Sequence, residues 1–260
     1  MPSYTELLAA MARLPKGRIE AHIPDDWMQG RTTYGGLTAA LCLESARSLT
    51  DMPVRSAQVA FVGPVAGDVV ISPAVLREGR NTLFASVDMV SERGVVARCL
   101  FAFGRRRESA LGFSGLEAPQ VDEPEAVPSF FGPQRPKFAE HFNVRLARGA
   151  PPMSGASEGD IVLWLRHKDE AALYDATTLL SIADAPPPAA MSMMTEPGPI
   201  SSMTWMAEFL SDHIETTGGW FLAHHVAQTA RDGYSSQSMR LWNHAGEPLM
   251  VGRQTIAVFV

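Results

Sequence analysis

GVVARCLFAFG (Gly94–Gly104) and GEPLMVGRQTIAVFV (Gly246–Val260) close two halves of this chain in the same way. Each leaves a polar turn at a glycine and enters an alternating apolar strand, expected at Val95–Phe103 in the first half and Leu249–Val260 in the second. Reading backwards from Gly94, three more strand candidates precede it: Val54–Val62, Asp68–Leu76 and Thr82–Val90. Their separators, Gly63-Pro64, Glu78 to Asn81 and Glu92-Arg93-Gly94, are turn-forming residues. Before them, GLTAALCLESARSL (Gly36–Leu49) sets Leu37, Ala40, Leu41, Ala46 and Leu49 at helical spacing. An opening strand is expected at Arg18–Ile23. Reading backwards from Gly246 repeats the plan. Strands are expected at Ser202–Leu210, Trp220–Ala230 and Ser235–Trp242, with Leu249–Val260 last. A helix over Glu170–Ala183 precedes them, stopped by Pro186 to Pro188, since proline cannot continue a helix. Earlier strands are expected near Phe142–Leu146 and Asp160–Leu165. Self-similarity of this kind fixes architecture before any motif is considered. It predicts an α+β protein of two tandem modules, each a long helix packed on an antiparallel sheet.

The 260 residues suffice for two such modules. Residues 1–106 form the first and 139–260 the second. Residues 107–138, rich in Pro, Gly, Glu and Ser without sustained period, read as the linker. A formal charge of −6 argues against a nucleic-acid partner, which needs a basic stripe. Arg105-Arg106-Arg107 is too short for one. No run approaches the ~18–20 apolar residues that span a bilayer, and Met1–Pro15 does not have the pattern of a secretory signal. Cys42 and Cys99 lie in apolar runs and read as core thiols, which fits a reducing cytoplasm. Adjacent His224 and His225 would face opposite sides of a strand, and no Cys/His/Glu spacing suggests zinc. No metal and no cofactor are expected.

The repeat also serves as an internal control. Superposing Phe61 on Phe209 sets Val54 against Ser202, and superposing Gly94 on Gly246 sets Ala102 against Gln254. Polar residues confined to one copy are not demanded by the shared fold. Gln254 has Met250, Gly252, Ile256 and Val258 as same-face neighbours, and a buried amide costs free energy unless it is hydrogen-bonded. Strict alternation puts Ser202 with Thr204 and Glu208, opposite the apolar face of Met203, Trp205, Ala207 and Phe209. Asp184 ends a helix, the unfavourable end for an anion.

Three ordered stretches resemble the double hot-dog acyl-CoA thioesterases, the family of bacterial thioesterase II and the peroxisomal acyl-CoA thioesterases. They are RTTYGGL (Arg31–Leu37); Phe61 to Pro64 with Val75–Val87 and Gly94–Arg98; and the set Ser181–Asp184, Ser202–Phe209 and Gly246–Gln254. The resemblance spans nearly the whole chain outside the linker. It implies a double hot-dog fold with its site where the modules meet. It further implies hydrolysis of acyl-CoA to free acid and CoA by a water held on Asp184, Ser202 and Gln254. Thr204 stands where the family often has a second Asp. By analogy with paired hot-dog sheets, a homodimer or homotetramer is expected.

On this reading Asp184 accepts the water's proton, and Ser202 and Gln254 fix the water. Gly35 and Gly36 bring helix N-terminal N–H groups close to the carbonyl oxygen. Met203, with Met191, Met193, Met194 and Met206, supplies adaptable apolar surface for the acyl chain. Among Arg31, Arg80, Arg105 and Arg253, the sequence does not single out a phosphate ligand. No Gly-x-Ser-x-Gly elbow points to a covalent serine mechanism. Two alternatives remain: a non-catalytic acyl-CoA binding module, and a hydratase or dehydratase of the same fold. Neither predicted helix contains the His that the latter uses.

Overall fold

The computed structural model describes residues 1–132 and 135–260. In chain order the helices are α1 (Tyr4–Ala9), α2 (Gly35–Arg47) and α3 (Ala176–Ala183). The strands of the first half are β1 (Ala12–Arg13), β2 (Ile19–Ile23), β3 (Met28–Gln29), β4 (Thr32–Thr33), β5 (Val54–Phe61), β6 (Gly67–Glu78), β7 (Thr82–Ser91) and β8 (Gly94–Gly104). Those of the second are β9 (Phe142–Gly149), β10 (Asp160–His167), β11 (Ile200–Phe209), β12 (Phe221–Arg231), β13 (Tyr234–Asn243) and β14 (Pro248–Val258).

Among the described residues, twelve strands form one sheet in the order β1-β2-β6-β7-β8-β5-β11-β14-β13-β12-β10-β9. Outward from the centre, β5-β8-β7-β6-β2 is mirrored by β11-β14-β13-β12-β10. The mirror line is the antiparallel β5–β11 pair, where Ala57 faces Ala207 and both are buried. Alternation does what period two requires: Leu83, Ala85, Val87 and Met89 of β7 all point into the core. Helix α2 packs across β6, β7 and β8 and also against α3. It is therefore buried on nearly every side from Gly36 to Leu43.

Three local features differ from expectation, each for a stated reason. Helix α3 begins at Ala176 and not at Glu170. The Asp175 side chain accepts the Thr178 N–H at 2.9 Å, and such a cap fixes where a helix starts. Helix α1, absent from the sequence reading, is closed by a capping box between Ser3 and Glu6. Strand β11 carries a register shift between Ser202 and Thr204 in its pairing with β14, leaving Met203 as the extra residue of a bulge.

The linker expected at 107–138 includes residues 133 and 134, which lie outside the described residues. Its described part is strapped to the second half by indole donors. Trp242 Nε1 donates to Leu116 O at 3.2 Å, Trp164 Nε1 to Asp122 O at 2.9 Å, and Trp220 Nε1 to Glu125 Oε1 at 3.2 Å. The three rings share an apolar cluster with Val127, Val162 and Leu222. Low periodicity says nothing of this strap, nor of the short 3-10 turn Pro124–Ala126 within it.

Candidate active site

Helices α2 and α3 run antiparallel, so the last turn of α3 lies beside the first turn of α2. Asp184 is the C-terminal cap residue of α3. Its carboxylate accepts the backbone N–H of Gly36, in the first turn of α2. The anion thus sits at the unfavourable end of its own helix and the favourable end of its neighbour. Tyr34 caps none of the α2 N–H groups with its side chain, which leaves them open to such an anion.

Both glycines are dictated by close approach. A Cβ on Gly35 would lie 2.6 Å from Asp184 Oδ2 and 2.8 Å from Phe61 Cζ. One on Gly36 would lie 2.3 Å from the Ser181 carbonyl oxygen and 2.6 Å from the Tyr34 ring. The helix junction is fastened just behind them. Tyr34 Oη lies 3.1 Å from Ser181 Oγ, which in turn lies 3.1 Å from His167 Nε2. Burial lowers the His167 pKa to about 3, so the imidazole is neutral in this network.

A second relay reaches Asp184 from the sheet. Ala189 N–H donates to Gln237 Oε1 at 2.9 Å, Gln237 Nε2 donates to Gln254 Oε1 at 2.7 Å, and Gln254 Nε2 donates to Asp184 Oδ1. Each amide is thereby held in one orientation. Asp184 keeps some surface on a cavity, yet protein surrounds it closely on its other sides. Burial raises its pKa to about 7, against the Gln254 and Gly36 hydrogen bonds, which lower it.

The cavity has a volume of about 560 Å³ and includes Gly35, Thr38, Asp184 and Ser202 in its wall. Its apolar lining comes from Phe61, Val62, Val65, Val96, Ile200 and Phe259. Ser202 reaches it because of the bulge at Met203. Ser202 pairs with Ile256 and Trp205 with Gln254, so Ser202 and Trp205 share a face although their numbers differ in parity. Strict alternation separates them.

Other expectations fare differently. Gln254 does not line this cavity; buried at 3% exposure, it stands behind Asp184 with both amide ends engaged. Met203 is the bulge residue, 42% exposed, and does not line the cavity either. The same holds for Met191, Met193, Met194 and Met206, so the apolar wall is built without the methionines expected there. No hydrogen bond joins Ser202 to Asp184 or Gln254 among the described residues; Ser202 and Asp184 share only the cavity wall, and Gln254 reaches it through Asp184.

Over residues 23–104 the chain matches the family model for the acyl-CoA thioesterase N-terminal domain, and over 117–258 that for the acyl-CoA thioesterase C-terminal domain. The chain belongs to the acyl-CoA thioesterase family. Three solved structures share the thioesterase's fold. A conserved protein of unknown function with hot dog fold from Alicyclobacillus acidocaldarius is 23% identical at TM-score 0.89, covering 98% of this chain and 97% of that one. The tesB protein of Mycobacterium avium subs paratuberculosis is 15% identical at TM-score 0.82, covering 98% and 99%. Acyl-CoA thioesterase II TesB2 from Mycobacterium marinum is 16% identical at TM-score 0.77, covering 97% of each. At these identities the likeness shows the double hot-dog fold alone. No curated protein matches the thioesterase.

Sequence reasoning missed Gln237, Thr38 and the Tyr34–Ser181–His167 network. Thr38 Oγ1 is buried in the cavity wall and has no hydrogen-bond partner among the described residues. A threonine inside an otherwise apolar helix face, one turn after the glycine pair, was a readable signal. Gln237 was readable too, as an amide between Ser235 and Met239 on a strand face turned to the core. At the opposite end of the helix pair the mirrored junction is filled. Arg47 pairs with Asp175 and donates to Thr177 Oγ1 at 3.1 Å, and Thr177 Oγ1 donates to Glu44 Oε2 at 3.2 Å. Among the described residues no metal-binding group of three His, Cys, Asp or Glu side chains is found. No described helix is long and apolar enough to cross a membrane.

Proposed function

We propose that this thioesterase hydrolyses acyl-CoA to the free acid and CoA with Asp184 as general base. The supporting observation is the Asp184 carboxyl, raised to about 7 and aimed at the cavity by Gly36 and Gln254. A base titrating near the operating pH combines availability with proton affinity. Ser202 holds the water from the opposite wall, and Gln254 orients the carboxylate. The water oxygen bonds to the thioester carbonyl carbon as Asp184 takes one of its protons. The carbonyl electrons move to oxygen, which faces the first turn of α2 beside Gly35, where helix N–H groups stabilise negative charge. Collapse of this intermediate breaks the C–S bond, and the departing thiolate recovers the proton from Asp184. The acyl chain lies along Phe61, Val96 and Ile200. The same reading takes residues 1–106 and 139–260 as the two modules, with 107–138 between them, in a cytoplasmic homo-oligomer.

The test is a pH series of thiol release from acyl-CoAs of several chain lengths. Because the carboxylate form is the active one, kcat/KM should fall about tenfold per pH unit below about pH 7 and level off above it. A profile flat from pH 5 to 8 would remove Asp184 as the base. Saturable binding without thiol release would favour a non-catalytic acyl-CoA binder.

A further inference from the structure

The proposed site accounts for the thioester but leaves the nucleotide end of an acyl-CoA without a partner. That end has several phosphate charges and calls for cations at the cavity mouth. Arg31 is the arginine that lines the cavity containing Asp184. It also lines a neighbouring surface cavity of about 640 Å³ with Pro64, Asp68, Glu92 and Arg93. The two spaces adjoin at Arg31 and Pro64, which line both.

The position of Arg31 is built rather than accidental. It occupies the two-residue turn of the β3–β4 hairpin, where Gln29 pairs with Thr32 and Gly30 has a φ of +69°. The hairpin is tied to the loop after β5. Thr33 N–H donates to Val65 O at 2.8 Å, and Val65 N–H donates to Thr32 Oγ1 at 3.0 Å. Among the described residues Arg31 enters no ion pair, whereas the other charges around the second space are matched. Asp68 faces His22 at 2.6 Å, and Glu92 lies 3.8 Å from Arg93. The remaining candidates are placed elsewhere. Arg105 pairs with Asp51, Arg253 donates to Ser236, and neither they nor Arg80 line the cavity.

We infer that Arg31, with Arg93 beyond it, binds the phosphates of the CoA moiety while the thioester lies at Asp184. This rests on the acyl-CoA reading of the site. An arginine fork suits phosphate oxygens, and its charge is released from no prior partner on binding.

The experiment compares an acyl-CoA with the acyl-pantetheine of the same chain length, which has the thioester but no phosphate. Arg31→Ala should raise KM for the acyl-CoA about tenfold with kcat unchanged, and Arg31→Glu should raise it further. For the acyl-pantetheine, kcat/KM should stay within about twofold. Arg105→Ala should leave both substrates unaffected. Equal losses on both substrates, a loss confined to kcat, or no loss at all would overturn the assignment of Arg31 and leave hydrolysis at Asp184 standing. Should the parent chain hydrolyse neither substrate, the hydrolytic reading fails, and calorimetry with free CoA and pantetheine still decides. Weakened CoA binding by Arg31→Ala, with pantetheine unchanged, supports the phosphate site; unchanged CoA binding refutes it.

Discussion

Asp184→Asn is expected to reduce kcat by about 10²–10⁴-fold, the usual contribution of a positioned general base. The change keeps shape and leaves an oxygen to accept from Gln254, so the fold should survive. It should also alter how stability depends on pH. The Asp184 carboxyl has a folded pKa of about 7 against an ordinary 3.8. Between those values the folded chain holds a proton that the unfolded chain has lost. The Asp184 contribution to the parent's stability is therefore lost as pH rises from about 4 to 7, while the buried neutral imidazoles of His167 and His225 act in the opposite direction in parent and variant alike. The loss is at most about 4 kcal/mol, because holding that one proton costs roughly 1.4 kcal/mol for each pH unit crossed. Cavity water will reduce that figure. The Asn variant has no such titration, so its unfolding free energy should rise relative to the parent's across the window. Equal pH dependence of urea unfolding in parent and variant would show that Asp184 is not the strained acid described. Near-normal turnover by a folded variant would remove it from the mechanism.

Gly36→Ala is expected to abolish activity and lower stability together. Exchanging glycine for alanine within a helix normally stabilises by roughly 0.5–1 kcal/mol. Here the added Cβ would lie 2.3 Å from the Ser181 carbonyl oxygen, a backbone atom of α3, and 2.6 Å from the Tyr34 ring. The helices must part, and overpacking of that kind costs about 1–3 kcal/mol, which outweighs the propensity gain. Parting them also withdraws the Gly36 N–H from Asp184. Gly35→Ala is the informative companion. Its clashes fall on Asp184 Oδ2 at 2.6 Å and on the tip of the Phe61 ring at 2.8 Å, both side-chain atoms that can shift. It should lose at least about tenfold in kcat with a smaller loss in melting temperature. A Gly36→Ala enzyme with parental activity and melting temperature would show that α2 and α3 do not meet as closely as described.

The architecture was readable because repetition and period are properties of the chain itself. Every strand of the two mirrored sets was expected within a few residues, and so was α2. The start of α3 was misjudged because Asp175 looks like any other polar residue until its side chain is seen to cap Thr178. Asp184, Gly35 and Gly36 were legible from the motifs they stand in. Their meeting was not, because it depends on antiparallel packing of two helices whose contacting residues, Tyr34 and Ser181, are 147 positions apart. Ser202 shows the limit of alternation. A bulge at Met203 reverses the parity of the strand, which brings the serine to the cavity and leaves the methionine outside it. Gln254 was singled out correctly as a polar residue facing inwards. Its engagement with Gln237 and Asp184, in place of the cavity, follows from neighbours on other strands.

The filled junction of Arg47, Asp175, Thr177 and Glu44 bears on how a duplicated protein ages. Two fused copies related by a near-twofold axis offer room for a pair of equivalent reaction centres. On the proposed reading one is used, and the place of the other holds the Arg47, Asp175, Thr177 and Glu44 cluster. The first half lends the used centre its glycines, Arg31 and the apolar wall of Phe61 and Val96, while its twin supplies the acid, the hydroxyl and the amides. The two duplicates thus hold unlike parts of a single centre, although their strand orders mirror each other.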